Sequence, residues 1–483
     1  MSHFKTVFKK SLICAVSVSL ITCSQQKKSY DESFVQVSRD NSSYFCLSNG
    51  DSYVPIGLNI CWARNMEILE RYFKALSENG GNFARIWVGW HSLFEYESVY
   101  GQVDEEKIAN VDKILEVAGQ YGIKVKLCLE NFRGIQAKPG TNIKAPYHLD
   151  NGGPFTDMND YMTDDKGKNV FLERVRFFRD RYGDDPRVFA WEIWNEMSAI
   201  WIDREKIDAD LVPWTVAVLS EMRKIFPHNL VVQNLGSLDR ESSIPFYKRI
   251  MEIPVQDFTQ VHRYIDEGMP EIKFPVVRGP VDVMAADAIV LMQSFGLNKP
   301  ILLAEVGAVQ PNHTGPHRHL RKDIDGIFLH DGIFAPYFTG PAGSGQNWWW
   351  DNYVDRNNLW YHFRRFSNAI GGVDPIKEGF EPLRADQPGF RVYVLKGRNT
   401  SLIWARDSEN SWMAEFGVVE GDPTNPPRLC SGVTLNLGEA LKDKKISKVE
   451  VYDPWTDQWT DVAASIPVAL PDFKRSIVVK IKH

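Results

Sequence analysis

The chain has 483 residues, of which 43% are apolar, 24% charged and 12% aromatic. That is enough buriable surface to offset the entropy of ordering the backbone, which excludes a disordered protein over most of its length and leaves room for up to about three domains. A formal charge of -6, from 56 basic and 62 acidic residues, provides no electrostatic footprint for nucleic acid.

Residues 1–22 carry Lys5, Lys9 and Lys10 ahead of a mostly apolar stretch from Leu12 to Ile21. This is the layout of a secretory signal peptide, and the stretch is too short to span a bilayer as a mature helix. It ends in Leu20-Ile21-Thr22-Cys23, which resembles the lipobox of bacterial lipoproteins, with Thr22 where Ala, Gly or Ser is usual. The resemblance implies cleavage before Cys23, lipidation at Cys23, export to the cell envelope, and contact with a membrane through the lipid anchor only. Residues 23–40 then read as a polar tether. The remaining Cys46, Cys61, Cys128 and Cys430 show no C-x-x-C spacing, so a zinc or redox motif of that kind is absent. They can form a disulfide after export or stay as buried free thiols.

Past residue 50, short apolar strands alternate with amphipathic helices, the pattern of parallel βαβ units in an α/β protein. Met66, Leu69, Tyr72, Phe73 and Leu76 recur at helical spacing, Gly80-Gly81 ends that helix, and a strand follows from Asn82 to Val88. A second helix carries Ile108, Val111, Leu115 and Ala118, stops at Gly122, and leads into a strand over 123–129. Further strands are expected at 54–58, 187–194, 229–233, 258–261, 300–304 and 345–349. Eight strands in alternation with helices predict a (β/α)8 TIM barrel over 41–373, with its chemistry at the C-terminal strand ends. The Gly-, Pro- and Asp-rich stretch between Phe132 and Val170 reads as a lid or subsite wall. After a helix from Leu359 to Ile370, Gly371-Gly372 and Pro375 break the pattern. Alternating strands beginning at Arg391, Ser401, Val449 and Ser476 predict a smaller all-β sandwich over 374–483.

Two carboxylates stand at expected strand ends: Glu196 in Trp191-Glu192-Ile193-Trp194-Asn195-Glu196 and Glu305 in Ile301-Leu302-Leu303-Ala304-Glu305. In a barrel those ends face each other across the mouth, and paired acids suit glycosidic cleavage, one protonating the leaving oxygen and the other attacking the anomeric carbon. Over residues 45 to 370 the sequence resembles the clan A glycoside hydrolases, particularly the cellulase-like and mannanase-like members of family five. The resemblance implies that Asn195-Glu196 is the pair holding the sugar 2-hydroxyl and the acid/base, that Glu305 is the nucleophile, and that Arg85 bonds the nucleophile. By the same likeness His262 and Tyr264 are the H-x-Y pair after the sixth strand, and Trp348 or Trp349 floors the subsite of the cleaved sugar. The third-strand end, Leu129-Glu130-Asn131-Phe132, lacks a His and reads closer to the mannanase-like members. Asn131 and Trp90 are expected to touch substrate, with Trp62, Trp87, Phe132, Trp201 and Trp350 as further subsite candidates.

Glu130 and Glu192 are rival carboxylates, although Glu192 lies inside its strand, where alternation need not aim it at the mouth. His313, His317 and His319 read as a solvated loop rather than a metal site, since Pro316 and the flanking Arg318 and Arg321 suit solvent, and the resemblance implies chemistry that needs no metal or cofactor. The expectation is a retaining β-glycoside hydrolase acting on a carbohydrate substrate, a β-linked hexose polymer or oligosaccharide of β-mannan or β-glucan type. The alternative is a catalytically silent carbohydrate-binding lipoprotein, which loss of either glutamate would have favoured. Oligomeric state is left open.

Overall fold

The computed structural model describes residues 32–89, 93–131, 145–200, 207–419 and 421–483. The signal segment, Cys23, Trp90, Phe132 and Trp201 lie outside the described residues. Parallel strands β1 (Gly57–Asn59), β2 (Phe83–Trp87), β3 (Lys124–Glu130), β4 (Val188–Trp194) and β5 (Leu230–Val232) pair in that order, and β6 (Thr259–Ile265) pairs with β7 (Ile301–Ala308). The helices between and after them are α1 (Met66–Glu78), α2 (Glu105–Tyr121), α3 (Asp165–Tyr182), α4 (Ile207–Ile225), α5 (Ile244–Met251), α6 (Val281–Gln293), α7 (Ile327–Phe338) and α8 (Tyr361–Ile370).

The eighth strand expected over 345–349 is reduced to single parallel bridges from Asn347 to Leu58 and to Val306. Hydrogen bonds from Asn59 N–H to the Asn347 carbonyl and from Val306 N–H to the Gln346 carbonyl, both 3.0 Å, still close the ring. At Gly345 a Cβ would lie 2.0 Å from the Gly332 carbonyl oxygen, so this segment runs hard against α7 and only glycine allows the approach. The Asn59 amide adds a staple, donating to the carbonyls of Ala304 (3.0 Å) and Gln346 (3.1 Å).

Local signals place the helices well. The Asn65 side chain accepts from Ile68 N–H at 2.9 Å and caps α1, Leu69, Tyr72, Phe73 and Leu76 are its buried face, and Gly80 takes φ +76 after its end. β6 and β7 run on to Ile265 and Ala308, past the expected ends at 261 and 304. Their charged and polar residues broke the apolar run, yet His262, Tyr264 and Glu305 find partners inside the barrel, while Arg263 reaches Asp287 of α6 at 2.8 Å. The tether does not extend to residue 40. Val35–Val37 pairs antiparallel with Phe45–Leu47, and that strand with Ser52–Tyr53. Phe45 meets Phe189 and Phe258 at ring distances of 5.2 and 5.5 Å, and Phe83 meets Phe189 at 5.1 Å, so apolar residues close the N-terminal end of the barrel.

The C-terminal domain is a six-stranded antiparallel sheet in the order Glu381–Arg384, Phe390–Lys396, Thr400–Asp407, Ser476–Lys482, Lys448–Asp453, Gln458–Val462. Val392, Ile403, Val451 and Val479 on one face pack with Leu435, Val468 and Phe473 from two short strand pairs, completing the sandwich. Tyr393, Trp404, Tyr452 and Val478 on the other face join the barrel core. All of α7 is consequently buried. Arg406 reaches Asp331 of α7 at 2.9 and 3.1 Å, and Arg391 reaches Asp282 of α6 at 2.6 and 2.9 Å.

The histidine loop departs from the solvated reading at His317 and His319, while His313 is exposed. His317 and His319 are buried with their rings 5.3 and 5.9 Å from Trp412, whose indole N–H donates to the Gly279 carbonyl at 2.9 Å. Aromatic packing between the domains thus outweighs the polarity of the loop. Burial pushes the His317 imidazole down to about 4 and that of His362, on α8, to about 3. A depressed histidine pKa contributes stability that is present above about 6.5 and is lost as pH falls through the folded value. His362→Gln is therefore expected to retain stability in acid relative to the parent. Between pH 6.5 and 4 the parent loses about 1.4 kcal/mol more per pH unit than the variant, read from thermal melts of both.

Candidate active site

The chemistry converges on Arg85. This β2 side chain is completely buried, and its guanidinium fork touches four groups. Nη1 donates to Glu305 Oε1 at 2.5 Å and to Asn59 Oδ1 at 3.2 Å, Nη2 donates to Asn195 Oδ1 at 2.8 Å, and Nε and Nη2 both donate to Glu192 Oε1, Nε at 3.1 Å. The second oxygen of Glu305 accepts from the Tyr264 hydroxyl. Burial and the neighbouring Glu305 raise the Tyr264 hydroxyl well above its usual range, so it stays a donor.

Glu196 follows β4 in the left-handed region, at φ +50, with its backbone N–H held by the Asn234 side-chain oxygen. Such a conformation costs on the order of 1–3 kcal/mol for a non-glycine residue and persists where surrounding contacts impose it. His262 Nδ1 lies 3.1 Å from Glu196 Oε1 and 3.4 Å from Glu305 Oε2. Oxygens of the two glutamates and a ring nitrogen of His262 all come within 4.8 Å of one another. This spacing would also suit a cation, but Arg85 already places a positive charge on Glu305, and Tyr264 occupies the other oxygen.

Beneath this layer sits a second one. Glu192 Oε2 accepts from Gln260 Nε2 at 2.8 Å and pairs with Lys126 Nζ at 3.0 Å, and Lys126 also donates to Gln260 Oε1 at 2.7 Å. Burial alone would raise the Glu192 carboxyl, yet Arg85 and Lys126 hold it far below the usual carboxylate range. Glu192 does point into the barrel, but as the counter-ion under Arg85. The other rival, Glu130, pairs with Arg174 of α3 at 2.6 Å.

The remaining sequence candidates divide. Asn131 is buried, donates its backbone N–H to Glu130 Oε1 at 2.8 Å, and its Oδ1 meets no hydrogen-bond partner among the described residues. Trp349 is half-buried, and its indole N–H donates to the Ala308 carbonyl at 2.7 Å. A Cβ on Gly307 would lie 3.3 Å from the Trp349 ring and 3.7 Å from that of Tyr264, which sets Trp349 beside the nucleophile candidate's partner. Trp348, also half-buried, joins Trp62, Trp87 and Trp350 at ring distances of 5.6, 5.2 and 5.4 Å. His313 adopts φ +57 and sets its ring 5.2 Å from that of Tyr264. Asn59, Asn234, Lys126 and Gln260 were missed from the sequence. The available signal was a polar residue interrupting an otherwise apolar barrel strand, as in Val125-Lys126-Leu127.

Residues 46–320 match the family model Cellulase (glycosyl hydrolase family 5). The chain is 24% identical over 393 residues to mannan endo-1,4-beta-mannosidase 7 of Arabidopsis thaliana, covering 74% of this chain and 84% of that protein. Its fold is similar to that of a glycoside hydrolase family 5 protein from Bacteroides vulgatus, with 13% identity, 93% of each chain covered and a TM-score of 0.56. It is also similar to that of the endo-beta-1,4-mannanase from Thermotoga petrophila, with 14% identity, 89% of this chain and 98% of that one covered, and a TM-score of 0.51.

Proposed function

The chain belongs to glycosyl hydrolase family 5 and is a retaining β-glycoside hydrolase acting on O-glycosyl bonds; from that premise we propose that it cleaves β-1,4-linked mannan with Glu305 as nucleophile and Glu196 as acid/base. The observation that carries the assignment is the approach of the two glutamates to within 4.8 Å, with Arg85 and Tyr264 both donating to Glu305. Retaining enzymes hold their carboxyl groups about 5–5.5 Å apart, too close to admit a water behind the sugar, whereas inverting ones need about 6.5–9.5 Å. The mannan-directed relatives support the choice of substrate.

In this mechanism Arg85 and Tyr264 fix the two oxygens of Glu305, and one attacks the anomeric carbon as the bond to the leaving oxygen breaks. Glu196 delivers its proton to that oxygen. Glu196, now a carboxylate, takes a proton from water as the water attacks the anomeric carbon and frees Glu305. Arg85 accepts nothing, so it fixes the Asn195 amide with Oδ1 inward and the NH₂ free to turn to the sugar 2-hydroxyl. Trp349, beside Tyr264, offers a ring face to the sugar. Sugar release from β-mannan, β-glucan, xylan and aryl β-glycosides tests the substrate, with β-mannan expected to be cleaved fastest. Proton NMR of the first product is expected to show retained configuration, and an inverted product would remove Glu305 as nucleophile.

A further inference from the structure

We propose that Lys126 is a positioning residue that, through Glu192 and Arg85, sets the charge balance beneath the catalytic glutamates and thereby the pH limits of turnover. The proposal rests on the two-glutamate reading above. Lys126 touches neither catalytic glutamate. Its Nζ contacts Glu192 Oε2 at 3.0 Å, Glu192 Oε1 accepts from Arg85, and Arg85 Nη1 reaches Glu305 Oε1 at 2.5 Å. The route is continuous and buried: Lys126, Glu192 and Arg85 are all fully enclosed.

A lysine in a barrel interior needs a reason, because an ammonium taken out of water is costly unless paired. Charge counting supplies one. Arg85 serves two carboxylates, Glu192 and Glu305, and one guanidinium cannot neutralise both. With Lys126 present, two cations face two anions while Glu196 carries its proton. In the glycosyl-enzyme Glu305 is esterified and Glu196 has given its proton away, so two cations again face two anions. The same balance holds in both states between which the enzyme cycles, which spares it an uncompensated charge where charges interact strongly. Other groups facing this layer add no charge to the count. Gln260 from β6, Asn59 from β1, and Tyr264 are neutral, and burial raises the thiols of Cys61 and Cys128 well above their usual range. His262 lies above it, against Glu196 and Glu305.

The test uses the full chain and four proteins: parent, Lys126→Met, Glu192→Gln, and the double variant, each assayed for kcat/KM against pH on dinitrophenyl β-mannoside and on β-mannan. Lys126→Met adds net negative charge and is expected to move both limbs of the profile up by about one pH unit; Glu192→Gln removes negative charge and is expected to move both down by a similar amount. The double variant, neutral again, is expected to return the limbs to the parental positions, which loss of packing alone could not do. If Lys126→Met fails to fold, Glu192→Gln and the double variant still decide. Limbs that stay at parental positions in folded single variants, or a double variant as displaced as a single one, overturn the proposal. ¹³C NMR titration of the Glu196 and Glu305 carboxyls, assigned with Glu→Gln variants, is expected to shift in the same directions. Because this readout needs no turnover, a parent inactive on β-mannosides counts against the proposed function alone.

Discussion

Glu305→Ala is expected to abolish turnover of both natural β-glycosides and activated aryl β-glycosides, while Glu196→Ala spares one step on the activated substrate. The asymmetry follows from geometry. Glu305 is the carboxylate gripped on both oxygens, by Arg85 and by Tyr264, and no other carboxylate in the cluster can form the covalent intermediate. General acid assistance is worth roughly 10²- to 10⁴-fold, and a dinitrophenyl leaving group hardly draws on it. Glu196→Ala should therefore lose that factor on the natural β-glycoside yet form the intermediate rapidly from the activated glycoside, then stall at water attack. Added azide should rescue the stalled step as the β-glycosyl azide, whereas rescue of Glu305→Ala should give the α anomer. Both variants must melt like the parent for the comparison to stand. Swapped azide anomers would falsify the assignment of roles.

Arg406→Met is expected to destabilise the protein by about 3–5 kcal/mol, the cost of leaving a buried charge without its partner. Arg406 and Asp331 are both buried, and the pair ties the C-terminal sheet to α7. Burial pushes the Asp331 carboxyl up to about 6 even with Arg406 alongside. Arg406 is the cation that holds this carboxyl down, so in Arg406→Met the Asp331 carboxyl moves higher still and takes its proton already above pH 6, and the loss should be smaller at pH 5 than at pH 8. Arg406→Met with Asp331→Leu should recover much of the stability at neutral pH, because no unpaired charge remains. Thermal or denaturant unfolding of the parent and the two variants at pH 5 and pH 8 reads this directly. An unchanged midpoint in Arg406→Met would show that the domains do not depend on this pair.

Much of the barrel could be read from the chain because local burial is periodic. The α1 face, the Gly80 and Gly122 stops, and the strands over 83–87, 124–130 and 188–194 all follow from side chains that must face a core at a repeat of 3.6 or 2. Once the strands were in order, the positions of Arg85, Glu196 and Glu305 at one end of the barrel followed from topology. The sequence was less informative where a residue's environment came from outside its own element. His317 and His319 looked solvated by the charges beside them, but Trp412 from the other domain covers them. Residues 345–349 looked like a strand, but they pair with their neighbours only through single bridges at Asn347, and Gly345 lies hard against α7.

By itself, then, the sequence determined the architecture, the family likeness and the strand ends at which the acidic pair stands, since each depends on repeats and motifs within tens of residues. Which buried charges meet depended on the closed barrel as a whole. Arg85 lies 107 residues from Glu192 and 220 from Glu305, and nothing local distinguishes a carboxylate that faces the mouth from one that lies beneath it. Glu192 became the counter-ion and Lys126 its second cation because barrel closure brings β2, β3, β4 and β6 around one enclosed centre, where an ion must find its partner across the barrel or not be buried at all.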